Sequence, residues 1–185
     1  MPKRNLEDKF HEECGVFGVF NHNDASAMVA LGLHALQHRG QEAAGIVSFD
    51  GNNFHNHRAI GLVGDNFSSE KVIKRLPGDS AIGHNRYSTT GETVMRNIQP
   101  LYADLVSGGF SVAHNGNLTN ALKLRKNLIE KGCLFHSTTD TEVIIHLTAI
   151  SKAKRPIDRV TDALRQIEGA YSLVAMTSDS LIGVR

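Results

Sequence analysis

Cys14-Gly15-Val16-Phe17-Gly18-Val19-Phe20 opens the folded part of this sequence. Apolar residues punctuated by two glycines make a β-like run. It follows abruptly on residues 1–13, a charged segment with few apolar residues, so the first real element starts at a cysteine. Downstream, Asp24 is placed to cap a helix over residues 25–38. Its apolar residues Met28, Val29, Leu31, Leu33 and Leu36 lie nearly all round the axis, which predicts burial. Ala44–Asp50 reads as a strand, Asp50-Gly51-Asn52 as a turn, and Asn53–Arg58 as the returning strand of a hairpin.

A short helix over 69–76 stops at Pro77-Gly78, and 81–87, 101–107 and 110–115 are extended, the last two joined at Gly108-Gly109. From Leu118 to Lys131, apolar residues at 118, 122, 128 and 129 oppose Lys123, Arg125, Lys126 and Glu130, an amphipathic helix closed by Gly132. Thr139-Asp140-Thr141-Glu142 has capping-box spacing and opens a helix with Val143, Ile144, Leu147 and Ile150 as its buried stripe. A last helix follows Pro156, with Ile157, Val160, Leu164 and Ile167 at helical spacing. Gly169 then releases the chain into strands 170–177 and 181–184. Strands and helices are grouped rather than alternating, which predicts an α+β fold of helices packed on antiparallel sheets.

The 185 residues suit one domain. With 41% hydrophobic and 21% charged residues the composition is that of a chain with a packed core, not of a disordered or fibrous one. A formal charge of +1 gives no pull toward nucleic acid or a membrane surface. No apolar run reaches the length of a membrane span, and the N-terminus lacks a signal peptide's apolar stretch, so the expected location is cytoplasmic. Two cysteines, Cys14 and Cys133, are too few for a disulfide scaffold or a one-chain four-cysteine metal site. No metal site is expected from the histidines. His34 and His38 lack the intervening acid of a metalloprotease helix, and His55 and His57 have no third ligand nearby.

Three features carry candidate chemistry. A buried cysteine is ordinarily an inert small hydrophobe, but removal of residues 1–13 would make Cys14 N-terminal. Its own α-amino group, with a reference pKa of about 7.7 to 8.0, could then act as the base for its thiol. His114-Asn115-Gly116-Asn117 lies between a strand and a helix. The Asn115 amide and the Gly116 N–H could form an oxyanion hole, although an ordinary Asn-Gly turn is the simpler reading of that spacing. Arg86 and Asp140 could clamp the carboxylate and ammonium of an α-amino acid, against the plainer roles of surface ion pair and helix-start acid.

Five segments in order carry a resemblance: Glu13-Cys14-Gly15-Val16-Phe17-Gly18, the run Leu36 to Ile46 beginning Leu-Gln-His-Arg-Gly-Gln, Gly83 to Gly91 with His84-Asn85-Arg86-Tyr87-Ser88-Thr89, Ala113 to Leu118, and Thr139 to Glu142. Together they resemble the glutaminase domain of the amidophosphoribosyltransferase family, over roughly 14–185. The related glucosamine-6-phosphate synthases typically show Tyr-Arg-Gly-Tyr-Asp-Ser in the second segment and a Trp after the matched arginine. Here Tyr87 follows Arg86, and the chain has no Trp.

The resemblance implies a four-layer αββα sandwich of the N-terminal-nucleophile hydrolase type, and a Cys14 nucleophile that forms a γ-glutamyl thioester and releases ammonia from glutamine. By the match, Asn115 and Gly116 are the oxyanion hole, and Arg86 and Asp140 hold the α-groups of glutamine. Thr89 and Tyr87 share the loop after Arg86, and Arg39 and Gly40 lie close to the nucleophile. Residues 1–13 resemble a propeptide removed before Cys14. A phosphoribosyltransferase domain, to which magnesium and an iron–sulfur cluster belong in such enzymes, is absent from this chain, which is expected not to make phosphoribosylamine alone. No cofactor is expected within the chain itself. The expected partners are glutamine and a synthase domain or chain, and a homo-oligomer remains open. Two other readings stand beside the glutaminase half in purine synthesis: a truncated glutamine-binding remnant without activity, and a stand-alone ammonia donor to a separate synthase.

Overall fold

The computed structural model describes residues 14–87 and 94–185. In chain order the elements are β1 (Gly15–Val19), α1 (Ala25–Ala35), β2 (Ala43–Phe49), β3 (Phe54–Ile60), α2 (Val63–Phe67), α3 (Glu70–Ile73), β4 (Ser80–Arg86), β5 (Leu101–Leu105), β6 (Gly108–Leu118), α4 (Ala121–Glu130), α5 (Thr141–Ile150), α6 (Pro156–Leu164), β7 (Gly169–Met176) and β8 (Leu181–Val184). Single 3-10 turns at Gln37–Arg39 and Met95–Asn97 complete the set. Two antiparallel four-stranded sheets form, with orders β1-β4-β2-β3 and β5-β6-β7-β8.

Alternation along the strands decides what each sheet face meets. On the first sheet, Ala44, Ile46 and Ala81 turn outward to Val29 and Leu33 of α1. Val47, Phe49 and Ile82 turn inward to Met176 of the second sheet. On the second sheet, Leu101, Val112, Leu173 and Ala175 pack outward on Val143, Ile144 and Leu147 of α5 and Val160 of α6. The layers therefore run helix, sheet, sheet, helix, the α+β sandwich expected. β2 is buried at every position because it is central in its sheet and covered on both faces. β3, at the sheet edge, carries His55, Asn56, His57 and Arg58 and is half-buried, a composition that discourages edge-to-edge pairing.

Close approach of α1 to its sheet depends on missing side chains. A Cβ on Gly32 would lie 2.7 Å from the Phe17 ring, and one on Gly83 2.5 Å from Val29. The predicted β2–β3 hairpin is held by Asp50, whose carboxylate accepts from the amides of Asn52 and Asn53 and pairs with the His55 ring at 2.6 Å. The Asn53 amide foremost, then His55 and the Asn52 amide, draw its pKa down to about 2.

Several boundaries differ from expectation. α1 ends at Ala35, and the 3-10 turn occupies the rest of its predicted length. It is buried on one face only, with Leu31 69% exposed, because a single sheet packs against it. The predicted helix at 69–76 is the single turn α3, preceded by the unforeseen α2. β6 continues past Asn115 to Leu118, which pairs with Gly169, so Leu118 belongs to a strand and α4 starts three residues later. Leu122 and Ile129 face outward from α4, and Leu128 is its buried anchor. Among the described residues no helix is long and apolar enough to cross a membrane.

Candidate active site

Cys14 precedes β1 directly, and the pairing of Gly15 with Asn85 sets it beside Arg86 at the end of β4. Gly18, four residues on, faces Val174 and Leu181 of the second sheet, so period-two alternation puts Cys14 on the same inner face. Its thiol donates to the Tyr87 carbonyl at 3.7 Å, and its carbonyl accepts from Arg39 Nε at 3.1 Å. Arg39 comes from the 3-10 turn, which Gly40 allows to lie flat on β4. A Cβ at Gly40 would stand 2.8 Å from the carbonyl carbons of Asn85 and Arg86. Gln37 fixes the same turn, its Oε1 accepting from the Val63 amide at 2.7 Å while its Nε2 donates to the Gly40 carbonyl. Arg39 and Gly40 thus shape the floor under Cys14.

Across the inter-sheet space, Asn115 follows Ala113 by two residues on the inner face of β6 and is 6% exposed. The ring of His84, two residues before Arg86 and fully buried, lies against the His114 backbone, so β4 continues past that point toward Asn115. Gly116 has φ +137°, and a Cβ there would sit 2.3 Å from the Ala170 carbonyl oxygen of β7. Glycine is the residue that this backbone and this approach admit. The His114 amide is fixed by Gln99 Oε1 at 2.7 Å, immediately before the Asn115-Gly116 pair.

Asp140 stands at the start of α5, yet its carboxylate turns to the end of β6. Oδ2 accepts from the Leu118 amide at 3.0 Å, and Oδ1 lies 3.5 Å from His114 Nδ1. Burial pushes this carboxyl up, but the His114 ring and the amides of Leu118 and Thr141 outweigh it, so its pKa lies below the ordinary value. These contacts favour the charged form of the carboxylate. Arg86 Nη1 makes a long contact, 3.5 Å, to the Asn97 carbonyl. The Asn97 side chain in turn exchanges two hydrogen bonds with Thr138, two residues before Asp140.

The predicted capping box does not close on Thr139. Glu142 reaches further back, accepting from the amides of His136 and Ser137 and from the Ser137 hydroxyl at 2.8, 2.7 and 2.6 Å. Its burial, which raises the pKa, is outweighed by those three donors, and the net direction is downward. The geometry thus gathers Cys14, Arg39, Gly40 and Arg86 at one end of the first sheet, and Asn115, Gly116 and Asp140 at the end of the second. Thr89 and the leader 1–13 lie outside the described residues. Asn97, Gln99 and Thr138 escaped the sequence reading, since ordinary polar residues between regular elements carry no spacing signal. The acid three residues after Thr139 was visible, but its target was not. Among the described residues, no three His, Cys, Asp or Glu side chains come together as a metal ion would require.

Comparison with known proteins adds the following. A family model described as a glutamine amidotransferase domain matches residues 84–185. The amidophosphoribosyltransferase of Rhizobium etli is 58% identical over 178 residues, covering 96% of this chain and 36% of that protein. A solved structure of "the allosteric regulatory enzyme of purine biosynthesis" superposes with TM-score 0.86 at 39% identity, over 91% of this chain and 36% of that one. The glutamine phosphoribosylpyrophosphate amidotransferase from B. subtilis, solved with ADP and GMP, gives 0.83 at 38% identity over the same shares. The chain spans little more than a third of the length of these relatives.

Proposed function

The chain belongs to the glutamine amidotransferase domain family, and from that membership we propose that it is the glutaminase half of an amidophosphoribosyltransferase, supplying ammonia to the first step of de novo purine biosynthesis. The observation that carries this reading is the convergence of Cys14 and Arg86, adjacent across β1 and β4, on the inner face opposite Asn115 and Gly116.

With residues 1–13 removed, the α-amino group of Cys14 takes the thiol proton, and the sulfur attacks the side-chain amide carbon of glutamine. Charge develops on the amide oxygen, where the Asn115 amide and the Gly116 N–H stabilise it without reorganisation, because Gly116 and the Gln99-held His114 backbone are already fixed. The protonated amino group returns its proton to the departing nitrogen, the carbon–nitrogen bond breaks, and ammonia leaves a γ-glutamyl thioester. Water, deprotonated by the same amine, then cleaves the thioester to glutamate and restores the thiol. Throughout, the Arg86 guanidinium holds the α-carboxylate and Asp140 the α-ammonium, so the reacting carbon is presented at fixed reach. In a longer chain, a synthase domain would consume the ammonia.

The test is glutamate release from glutamine by protein beginning at Cys14, run beside the uncleaved chain and Cys14→Ala. Hydrolysis is expected only from the trimmed, cysteine-bearing form. Silence from that form would remove the catalytic reading and leave a glutamine-binding remnant.

A further inference from the structure

The two ends of the amino-acid clamp come from different parts of the chain. Arg86 ends a strand of the first sheet, and Asp140 opens a helix that packs on the second. Side chains from Asn97, which ends the 3-10 turn Met95–Asn97, and Thr138, in the loop before α5, join the two. Asn97 is 7% exposed. Its Oδ1 accepts from the Thr138 amide at 3.0 Å, and its Nδ2 donates to Thr138 Oγ1 at 2.9 Å. A planar carboxamide held at both ends fixes orientation as well as distance. The Asn97 carbonyl faces Arg86 Nη1, and Thr138 is two residues from Asp140.

Each partner of this pair is itself anchored. On the Asn97 side, Arg58 Nη1 donates to the Ile98 carbonyl at 3.3 Å, and Gln99 Oε1 accepts from the His114 amide at 2.7 Å, so residues 97–99 are tied to both sheets. On the Thr138 side, Ser137 is held by Glu142 through its amide and hydroxyl, and its carbonyl accepts from Arg125 Nη2 at 2.7 Å. The Arg125 guanidinium also stacks 4.0 Å over the Phe135 ring. Neither segment can drift alone, and the Asn97–Thr138 pair is where they meet.

We propose that Asn97 and Thr138 are positioning residues that set the separation of Arg86 and Asp140, and so the selectivity of this site for a substrate bearing both an α-carboxylate and an α-ammonium. This inference rests on the glutaminase reading above. The clamp grips the part of glutamine that does not react, so loosening it removes binding common to ground and transition states. KM rises while kcat holds.

Ammonia release is measured for the 185-residue chain and for the form beginning at Cys14, with L-glutamine and with glutaramate, its analogue without the α-amino group, which is hydrolysed to glutarate. Asn97→Ala is expected to raise KM for glutamine about tenfold with kcat within about twofold, and to shrink the preference over glutaramate by a similar factor. Thr138→Val, which deletes one of the two bonds, should give about threefold. Thr138→Ser, which keeps both, should return KM to within about twofold of the parent. The Asn97→Ala/Thr138→Val double variant should be no worse than Asn97→Ala, since the two side chains act as one unit.

A parent-like KM in Asn97→Ala, a fall in kcat at constant KM, unchanged preference over glutaramate, or additive effects in the double variant each overturn the proposal. If Asn97→Ala does not fold, the comparison of Thr138→Val with Thr138→Ser decides alone, and equal KM values overturn it. A parent chain silent toward glutamine in both forms overturns the glutaminase reading and this inference together. An active parent with unmoved variants overturns only the inference.

Discussion

Gly116 shows how one residue can be required twice, by its backbone and by its surroundings. Its φ of +137° is a region that side chains avoid, and its neighbour across the sheet leaves 2.3 Å where a Cβ would go. Gly116→Ala must therefore push β6 off β7 at the site of the proposed oxyanion donors. The expected result is a fall in kcat of about 100-fold or more, the scale of a lost oxyanion donor, with a loss of about 1–3 kcal/mol in stability from the strained backbone. Glutamine turnover and urea unfolding of the same variant measure both. Spacing alone left Asn115 and Gly116 as an ordinary turn and Arg86 and Asp140 as an ion-pair and a helix-start residue, and the five-segment resemblance is what marked them, with Cys14, as a site. Asn97 and Thr138 were illegible: their bonds join segments 41 residues apart, and nothing local marks an amide that will meet a hydroxyl.

At the scale of the element, α5 is the most informative. Its buried stripe Val143, Ile144 and Leu147 was readable from helical spacing, and all three are in the core. Ile150, counted with them, is 41% exposed because the helix ends there. Its acid at position 142 was readable as a capping residue, but the chain before it folds so that the carboxylate captures His136 and Ser137 instead of Thr139. Three donors on one carboxylate make Glu142 the fastening of the whole 136–140 turn. Glu142→Gln should cost about 1.5–3 kcal/mol at pH 7, the scale of hydrogen bonds to a charged group. A depressed carboxyl pKa contributes stability that is present above the unfolded value and lost as pH falls through the folded one. The gap between parent and Glu142→Gln in urea unfolding should accordingly narrow below pH 4. A gap unchanged from pH 7 to pH 3 would show that the charge on Glu142 contributes nothing.

For the molecule as a whole, the grouping of strands and helices was enough to give helices packed on antiparallel sheets, the four-layer order came from the resemblance, and the strand orders were not readable. β4 inserts between β1 and β2 through pairings more than thirty residues apart, and register over such distances leaves no trace in local pattern. Between the two sheets lies His84, and desolvation above all, with the nearby charges of His114 and Arg86, drives its pKa down to about 3. A histidine whose folded pKa is depressed stabilises the fold fully above its unfolded value near 6.5 and loses that contribution as pH falls toward the folded value. Stability should drop by about 1.4 kcal/mol per pH unit below about 6.5 from this group alone. His84→Asn should flatten the dependence between pH 6.5 and 5 by about one proton, as measured by urea unfolding across that range.

The seam itself is thin. Val47, Phe49, Ile82 and Met176 fill it, while each sheet keeps a larger apolar core of its own on the helix side, and at Gly18 the gap closes to 2.9 Å between a would-be Cβ and Val174. The groups of the proposed site sit on the two leaves of this seam, one set on each. Inherited variation in such a molecule is sorted by depth. Changes in the outer cores can be absorbed within one leaf and surface mainly as altered abundance, whereas changes at Gly18 or Ile82 alter the spacing of the leaves and surface as altered chemistry in a protein that is still made.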